Sequence, residues 1–452
     1  MTLFAALLVL YAFALIALGL WAGRRVRATS DFFVAGRSLG PGLIFATFLA
    51  ANLGAGTTVG ATGYAYQDGL AAWWWDGSAG LGSLVLAFWI GPIIWREAHR
   101  LGLLTIGDFL EHHFGRGVRA LGAFIVWAGS FTILCGQLRG AGEVLERVAG
   151  IPLNLGAFLA AAATVAYFVA GGLVSAVRVN VVQVVIVLVG FGLAVPFVAG
   201  GTPSWSAVAQ DTSFWRGSLV GWPTLLLLGP AFFLSPGLLQ KGFGARSPDA
   251  LRRGVALNGL TLMVFACLPV LFGLAARALF PDLPRREMAL PALLTEAVPP
   301  AVGAFALMAV LTAEISTADA VLFMLATSGA RDFYKGFLRP SASDRDVLRV
   351  ARLLAVVGGL VGFGLTYVFD TIGDALTFFY RLMTLTLAAP ILGGLFLPRA
   401  GRGGALAAIL VGVVTYVTIE IMTQGAGYGW AAPHLIGLAA SAVTYLILAV
   451  FN

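Results

Sequence analysis

Thirteen apolar stretches, each about as long as a bilayer crossing, fill this 452-residue chain and leave only short connections between them. Their approximate bounds are 2–22, 41–62, 70–95, 118–148, 152–170, 176–199, 220–243, 254–279, 300–328, 350–369, 372–397, 404–423 and 432–451. A helix needs roughly 20 apolar residues to cross a hydrocarbon core. In lipid every backbone N–H and C=O must be satisfied within the structure. The pattern therefore predicts an all-α polytopic membrane protein of about 13 transmembrane helices. Composition agrees: 59% of residues are hydrophobic and 11% charged, against about 25% charged in soluble domains. A cytosolic enzyme, a disordered chain and a disulfide-built secreted domain are excluded. Cys135 and Cys267 both fall inside apolar runs and read as packed thiols. The first stretch lacks a basic start and precedes Arg24 and Arg25, so it reads as an anchor rather than a cleaved leader.

The net charge of +7 is explained by where the cations lie, without recourse to nucleic acid. With the N-terminus placed outside, 21 lysines and arginines fall on inward connections and five on outward ones, Arg147, Arg216, Arg277, Arg285 and Arg286. The inward set includes Arg24, Arg37, Arg96, Arg119, Lys241, Arg252 and the six cations between Arg331 and Arg352. That asymmetry is the positive-inside signature of a multi-pass protein in the cell inner (plasma) membrane. Thirteen crossings then put Asn452 in the cytoplasm.

Two spans carry helix breakers near their middles. The second reads FATFLAANLGAGTTVGATG, with Gly54, Gly56, Gly60 and Gly63; the seventh reads LLGPAFFLSPGLLQKG, with Gly229-Pro230 and Pro236-Gly237. Isolated glycines also serve close helix packing. Two broken spans five crossings apart point instead to an inverted repeat with a binding site at the breaks. Spans 2–6 and 7–11 would form the two units, over residues 41–200 and 201–397. An extra span and the first cytoplasmic loop lie at 1–40, and two accessory spans at 398–452.

The ninth span places Ala313, Ser316 and Thr317 at i, i+3 and i+4, on one helical face. A membrane hydroxyl often bonds back to the carbonyl four residues earlier. Two adjacent hydroxyls beside a carbonyl also suit a hard cation, which takes oxygen ligands. Carbonyls freed at the second-span break, at Ala50 and Leu53, complete a candidate sodium shell.

Six segments in order resemble the sodium:solute symporter family, which includes the sodium/proline, sodium/pantothenate and sodium/galactose symporters. They are SDFFVAGRSLG at 30–40, LTIGDFLEHHFG at 104–115, QLRGAGEVLERVAGIP at 137–152, AGGLVSAVRVNVVQ at 170–183, SPGLLQKGFGARS at 235–247 and AEISTADAVLFMLATSGARDFYKGFLRP at 313–340. The resemblance implies a leucine-transporter-like fold with a five-plus-five inverted repeat, and secondary transport by alternating access with sodium as the coupling ion. It implies that Ala50, Leu53, Ala313, Ser316 and Thr317 are the sodium ligands. There are departures. Asn52 stands where some members have an aspartate. Asn180 replaces a carboxylate that some members use for a second sodium, which implies one coupled sodium. Gly56 and Thr57 stand where galactose transporters carry an acid and an amide, which disfavours a sugar.

The solute pocket is expected between spans 2 and 7, lined by Asn52, Gly56, Thr57, Phe232, Phe233 and Ser235. Broken-helix N-termini offer free N–H groups and a positive dipole end, which suit an anion. Arg139 and Arg381 lie within spans, where ionisable groups are paired or functional. Either they close internal pairs (Arg139 with Glu143, Arg381 with Glu314 or Asp319), or one of them clamps a substrate carboxylate through its planar fork. Asp319 follows a pattern common in the family; Glu314 is rotated about 100° from Ala313 and faces away from the cation. Trp73, Trp74, Trp75 and Asp76 open the third span and read as an interfacial belt or a substrate gate. The expected partners are a small carboxylate-bearing solute such as an amino acid or organic acid, sodium and the bilayer. The sequence does not address oligomeric state. A sensor of the same fold is the competing class, disfavoured because no cytosolic module follows the last span. No HExxH, histidine cluster, nucleophile elbow or phosphate loop supports an enzyme.

Overall fold

The structure, a computed structural model, describes residues 29–202, 205, 213–215, 222–369, 371–429 and 431–451, together with 10, 11, 13, 14, 17, 18 and 21. The expected first span falls largely outside the described residues, as do Arg24, Arg25, Arg27, Arg216 and Asn452. Among the described residues, ten helices are long and apolar enough to cross a membrane. Two shorter apolar helices, Pro41–Asn52 and Leu153–Ala166, add to them.

The second span is broken where its glycines cluster. Helix α1, Pro41–Asn52, stops as Leu53 turns extended (φ −84°, ψ 98°). The chain resumes through a wide turn, Gly56–Gly60, into α2, Ala61–Asp68. A Cβ on Gly54 would meet Gln137 and Thr317, with Thr317 Cβ only 2.8 Å away, so only glycine lets the opened backbone pass. The third span consists of α3, Trp73–Val85, and α4, Gly91–Leu101. After α5, Ile106–Phe114, comes α6, Arg116–Ala149. Helix α7, Leu153–Gly201, joins the fifth and sixth expected spans through a single hinge at Gly172 (φ 52°, ψ −138°).

The seventh span breaks as expected. Helix α8, Trp222–Leu234, ends at Ser235, and α9, Pro236–Phe243, begins on a proline that has no N–H to continue the ladder. Then follow α10, Pro248–Phe265; α11, Cys267–Leu279; α12, Ala289–Glu296; and α13, Pro300–Thr327. The last four are α14, Asp344–Leu365; α15, Ile372–Phe396; α16, Gly401–Met422; and α17, Pro433–Phe451.

Helix α13 is apolar around most of its circumference, the pattern of a helix surrounded by others. Nearly every side chain from Gly303 to Thr327 is buried, and the helix packs against α6, α7, α14 and α1. The second broken rod packs beside the third span through α8 on α3, while α10 touches both α1 and α3. Helices α16 and α17 pack on each other and on α15 at the periphery. Their outer faces carry exposed Leu410, Val414, Val417, Ile421, Leu446 and Ile447. Exposed apolar side chains in such number suit a bilayer, not water.

Candidate ion and solute site

The five expected cation ligands come together at the α1 break. Ser316 Oγ lies 2.8 Å from both the Ala50 and Ala313 carbonyl oxygens. Thr317 Oγ1 lies 3.2 Å from the Ala50 oxygen and 2.9 Å from the Leu53 oxygen. All five residues are buried. The helical spacing of Ser316 and Thr317 puts both hydroxyls on the α13 face toward α1, and the extended Leu53 turns its carbonyl away from any helical partner. Each hydroxyl donates to a carbonyl as it stands; rotated, it presents lone pairs, so the same oxygens accept a cation. This donor set of hydroxyls and carbonyls fits sodium and offers nothing soft.

Beside the cage lie two contiguous cavities between the broken rods. One is lined by Asn52, Phe232, Ser235, Gly237, Leu238 and Lys241, among others. The other is lined by Asn52, Gly56, Thr57, Trp75, Asp76, Gln137, Phe232 and Tyr380. Thr317 borders both, so cage and cavities share a wall. Asn52 donates through Nδ2 to Asn258 Oδ1 at 3.2 Å, and Asn258 donates on to Ser83 Oγ at 3.1 Å. Gln137 Oε1 accepts from the Ala55 amide at 2.7 Å, and Thr57 Oγ1 accepts from the Gly54 amide at 2.8 Å. These two side chains cap the opened backbone at Gly54 and Ala55, so those two amides are not left for an anion.

Three expected pocket residues face elsewhere, each for a geometric reason. Successive helical residues are rotated by about 100°. With Phe232 turned inward, Phe233 faces a surface cleft between α8, α15 and α17. With Tyr380 inward, Arg381 reaches Glu420 of α16 at 3.0 Å. Its expected alternatives, Glu314 and Asp319, are not its partners. Arg139, two residues past Gln137, points away from the break; it donates to the Thr366 and Phe369 carbonyls at 3.1 and 3.0 Å and sits 3.9 Å from Glu143.

The structure also corrects two readings of depth. Lys241, counted among the inward loop cations, is 1% exposed and borders a cavity, with Asp319 as its electrostatic partner and the Thr47 carbonyl 3.4 Å from its Nζ. Trp75 and Asp76, assigned to the outer end of a span, are buried at the second cavity. Of this run, Trp73 and Trp74 instead form an aromatic cluster with Phe214 and Trp215 among the described residues. A polar residue inside an apolar run was the available signal for Asp76, Gln137 and Lys241. Glu314, rotated off the cation face, is buried beside Gly140.

The sequence profile described as the Sodium:solute symporter family matches residues 32–202 and 197–412. A sodium/glucose cotransporter of Vibrio parahaemolyticus is 25% identical over 91% of this chain and 84% of its own length. A sodium/proline symporter of Salmonella typhimurium is 25% identical over 93% of this chain and 87% of its own. The substrate-bound, outward-open structure of a Na+-coupled sialic acid symporter superposes with a TM-score of 0.84 at 18% identity, over 99% of this chain and 97% of that one. The fold is thus the leucine-transporter-like inverted-repeat fold of an all-α polytopic membrane protein. With the profile covering most of its length, the chain belongs to the sodium:solute symporter family.

Proposed function

We propose that this transporter carries a small carboxylate-bearing solute, such as an amino acid or organic acid, inward with one sodium ion. That it is a sodium-coupled secondary transporter of a small organic solute working by alternating access, and not an enzyme, follows from its family. The observation that carries the finer reading is the join between the oxygen cage and the cavity. Thr317 belongs to both, so a cation held by Ala50, Leu53, Ala313, Ser316 and Thr317 and a solute in the cavity stabilise the same closed arrangement of α1 against α13.

The arginines do not contribute to solute charge selection, since both are engaged elsewhere. The α9 N-terminus takes over that part of the argument. First-turn amides lack intrahelical acceptors, and Gly237 and Leu238 border the cavity with Ser235 and Lys241. A carboxylate placed there meets N–H groups and the positive end of the helix dipole. One sodium is favoured because Asn180, at the position of the second-sodium carboxylate, donates through Nδ2 to Thr47 Oγ1 at 3.1 Å and brings no negative charge.

The five-helix units at 41–200 and 201–397, the 13-span count, and the N-out, C-in orientation belong to the same proposal. The two matched breaks and the cation asymmetry support them. Uptake into liposomes tests the function: an inward sodium gradient, but not a potassium gradient, should drive accumulation of a labelled amino or organic acid, with a sodium Hill coefficient near one. Sodium-driven uptake of a neutral sugar alone would overturn the carboxylate assignment, and a Hill coefficient near two would overturn the stoichiometry.

A further inference from the structure

Asp76 is the polar group of the cavity that the mechanism above leaves unused. It lies on α3, is 1% exposed, and borders the second cavity. Neither carboxylate oxygen has a hydrogen-bond partner among the described residues. A buried carboxyl group at membrane depth without a partner is costly to ionise, and an arriving cation would supply the partner it lacks. The walls beside it are aromatic. Trp75, Phe232 and Tyr380 border the same cavity; Trp75 and Tyr380 have ring centroids 6.3 Å apart, and Phe232 and Tyr380 are 5.8 Å apart. Tyr380 stands within electrostatic reach of Asp76.

Several other polar groups around the cavity are engaged within the protein. The Asn52 amide donates to Asn258, the Gln137 carbonyl caps Ala55, and the Thr57 hydroxyl is shared with Gly54. Lys241 donates to the Thr47 carbonyl at 3.4 Å and lies within electrostatic reach of Asp319. An ammonium group finds a desolvated carboxylate and aromatic faces, the two environments that attract an organic cation.

We infer that Asp76, walled by Trp75, Phe232 and Tyr380, is the ammonium subsite of the solute cavity, so that the transported solute carries an amine as well as a carboxylate. This rests on the sodium-coupled, carboxylate-bearing reading above and narrows it to zwitterions. The two cavities share Ala51, Asn52, Phe232 and Tyr380, so the Asp76 subsite and the α9 N-terminus open on adjoining spaces, one for each charge of a zwitterion.

The test uses the purified full-length protein in nanodiscs, with affinity read by sodium-dependent thermal shift and by binding of labelled probes. The probes are amino acids and betaines, each set against the 2-hydroxy acid of the same skeleton, with glucose and galactose as neutral controls. At least one amine-bearing acid should bind in sodium about thirtyfold or more tightly than its hydroxy counterpart, the scale for losing one partner of a buried charge pair. Asp76→Asn should erase that ratio while keeping the stabilisation that sodium gives without solute. Asp76→Glu, which retains the charge, should keep part of the ratio if the asparagine variant does not fold. The inference is overturned if hydroxy acids bind as tightly as their amines, if a sugar is the ligand, if no amine-bearing probe responds, or if Asp76→Asn leaves the ratio intact. Loss of every sodium effect in the unaltered protein would instead count against the sodium-coupling assignment itself.

Discussion

Ser316 and Thr317 differ from the other buried hydroxyls of the chain in where their oxygens point. Ser130, Thr164, Thr312 and Thr327 each bond back to the carbonyl four residues earlier on their own helix. Ser316 and Thr317 reach across to carbonyls of α1. Losing an outer partner of a metal ligand typically costs about 10–100-fold in affinity, so removing a ligand itself should cost at least that. Ser316→Ala and Thr317→Ala are expected to raise the sodium concentration for half-maximal uptake by about tenfold or more. Thr164→Ala, which removes only a back-bond, serves as the control. Unchanged sodium activation in both site variants would remove these hydroxyls from the ion site. The arginines carry the opposite expectation. Because Arg381 is held by Glu420 and Arg139 by two carbonyls of the 366–369 segment, Arg381→Lys and Arg139→Lys should leave solute affinity in the binding assay unchanged. A marked loss of affinity in either would bring the carboxylate clamp back.

The two helix breaks fix the chemistry at the next scale up, because each converts satisfied backbone into ligand. Gly54→Ala tests the first. Its Cβ would stand 2.8 Å from Thr317 Cβ, so α1 and α13 must part. The expected result is a protein that elutes as a single species yet loses its sodium-dependent thermal shift. A normal shift would show that the two helices can separate without cost to the cage. Asn258 of α10 tests the tie between α1 and α3: Asn258→Ala leaves the Asn52 amide unpaired in the interior, while Ser83 keeps its bond to the Ala79 carbonyl, a cost of about 1–3 kcal/mol, to be read as a lowered melting temperature. Both breaks and the Ser316–Thr317 face were legible in the sequence because they are local: glycine and proline act within one turn, and an i, i+3, i+4 spacing defines a face. The place of Asp76 and Lys241 was not legible. Each sits near the end of an apolar run, and depth there depends on how neighbouring helices overhang it. Arg139 and Arg381 misled for a related reason. A residue's depth along a span says nothing about which side of the helix it leaves from, and here Gln137 and Tyr380 take the inward side.

At the scale of the molecule, the charged residues gather on one side of the bundle more than the other, and the proposed N-out, C-in orientation rests on that asymmetry. Beneath α6 and α13, Arg119 contacts Asp332 at 3.0 Å and Asp108 at 3.3 Å, and Arg331 contacts Asp108 at 2.9 Å, joining α5, α6 and the end of α13. Arg37 donates to the Ala98 and Leu103 carbonyls at 3.2 and 3.0 Å on the same side. At the other end Arg285 pairs with Glu143 at 2.6 Å and with Glu146 at 3.0 Å, and Arg147 pairs with Glu296. By the positive-inside rule the cation-rich side is the expected cytoplasmic one in the proposed orientation. Helix α16 gives a clean test, because it has Arg399 just before it and Arg402 in its first turn, while residues 423–432 beyond its other end contain no lysine or arginine. Gly403 and Ala426, near its two ends, are both exposed, and a Cβ at Gly403 meets open space. In a Cys267→Ala background, with Cys135 buried, Ala426→Cys should react with a membrane-impermeant maleimide on intact cells. Gly403→Cys should react only after permeabilisation. The reverse pattern would place the six cations between Arg331 and Arg352 outside the cell and would overturn the N-out, C-in orientation, while leaving the order of the helices, the oxygen cage and the cavity where they are.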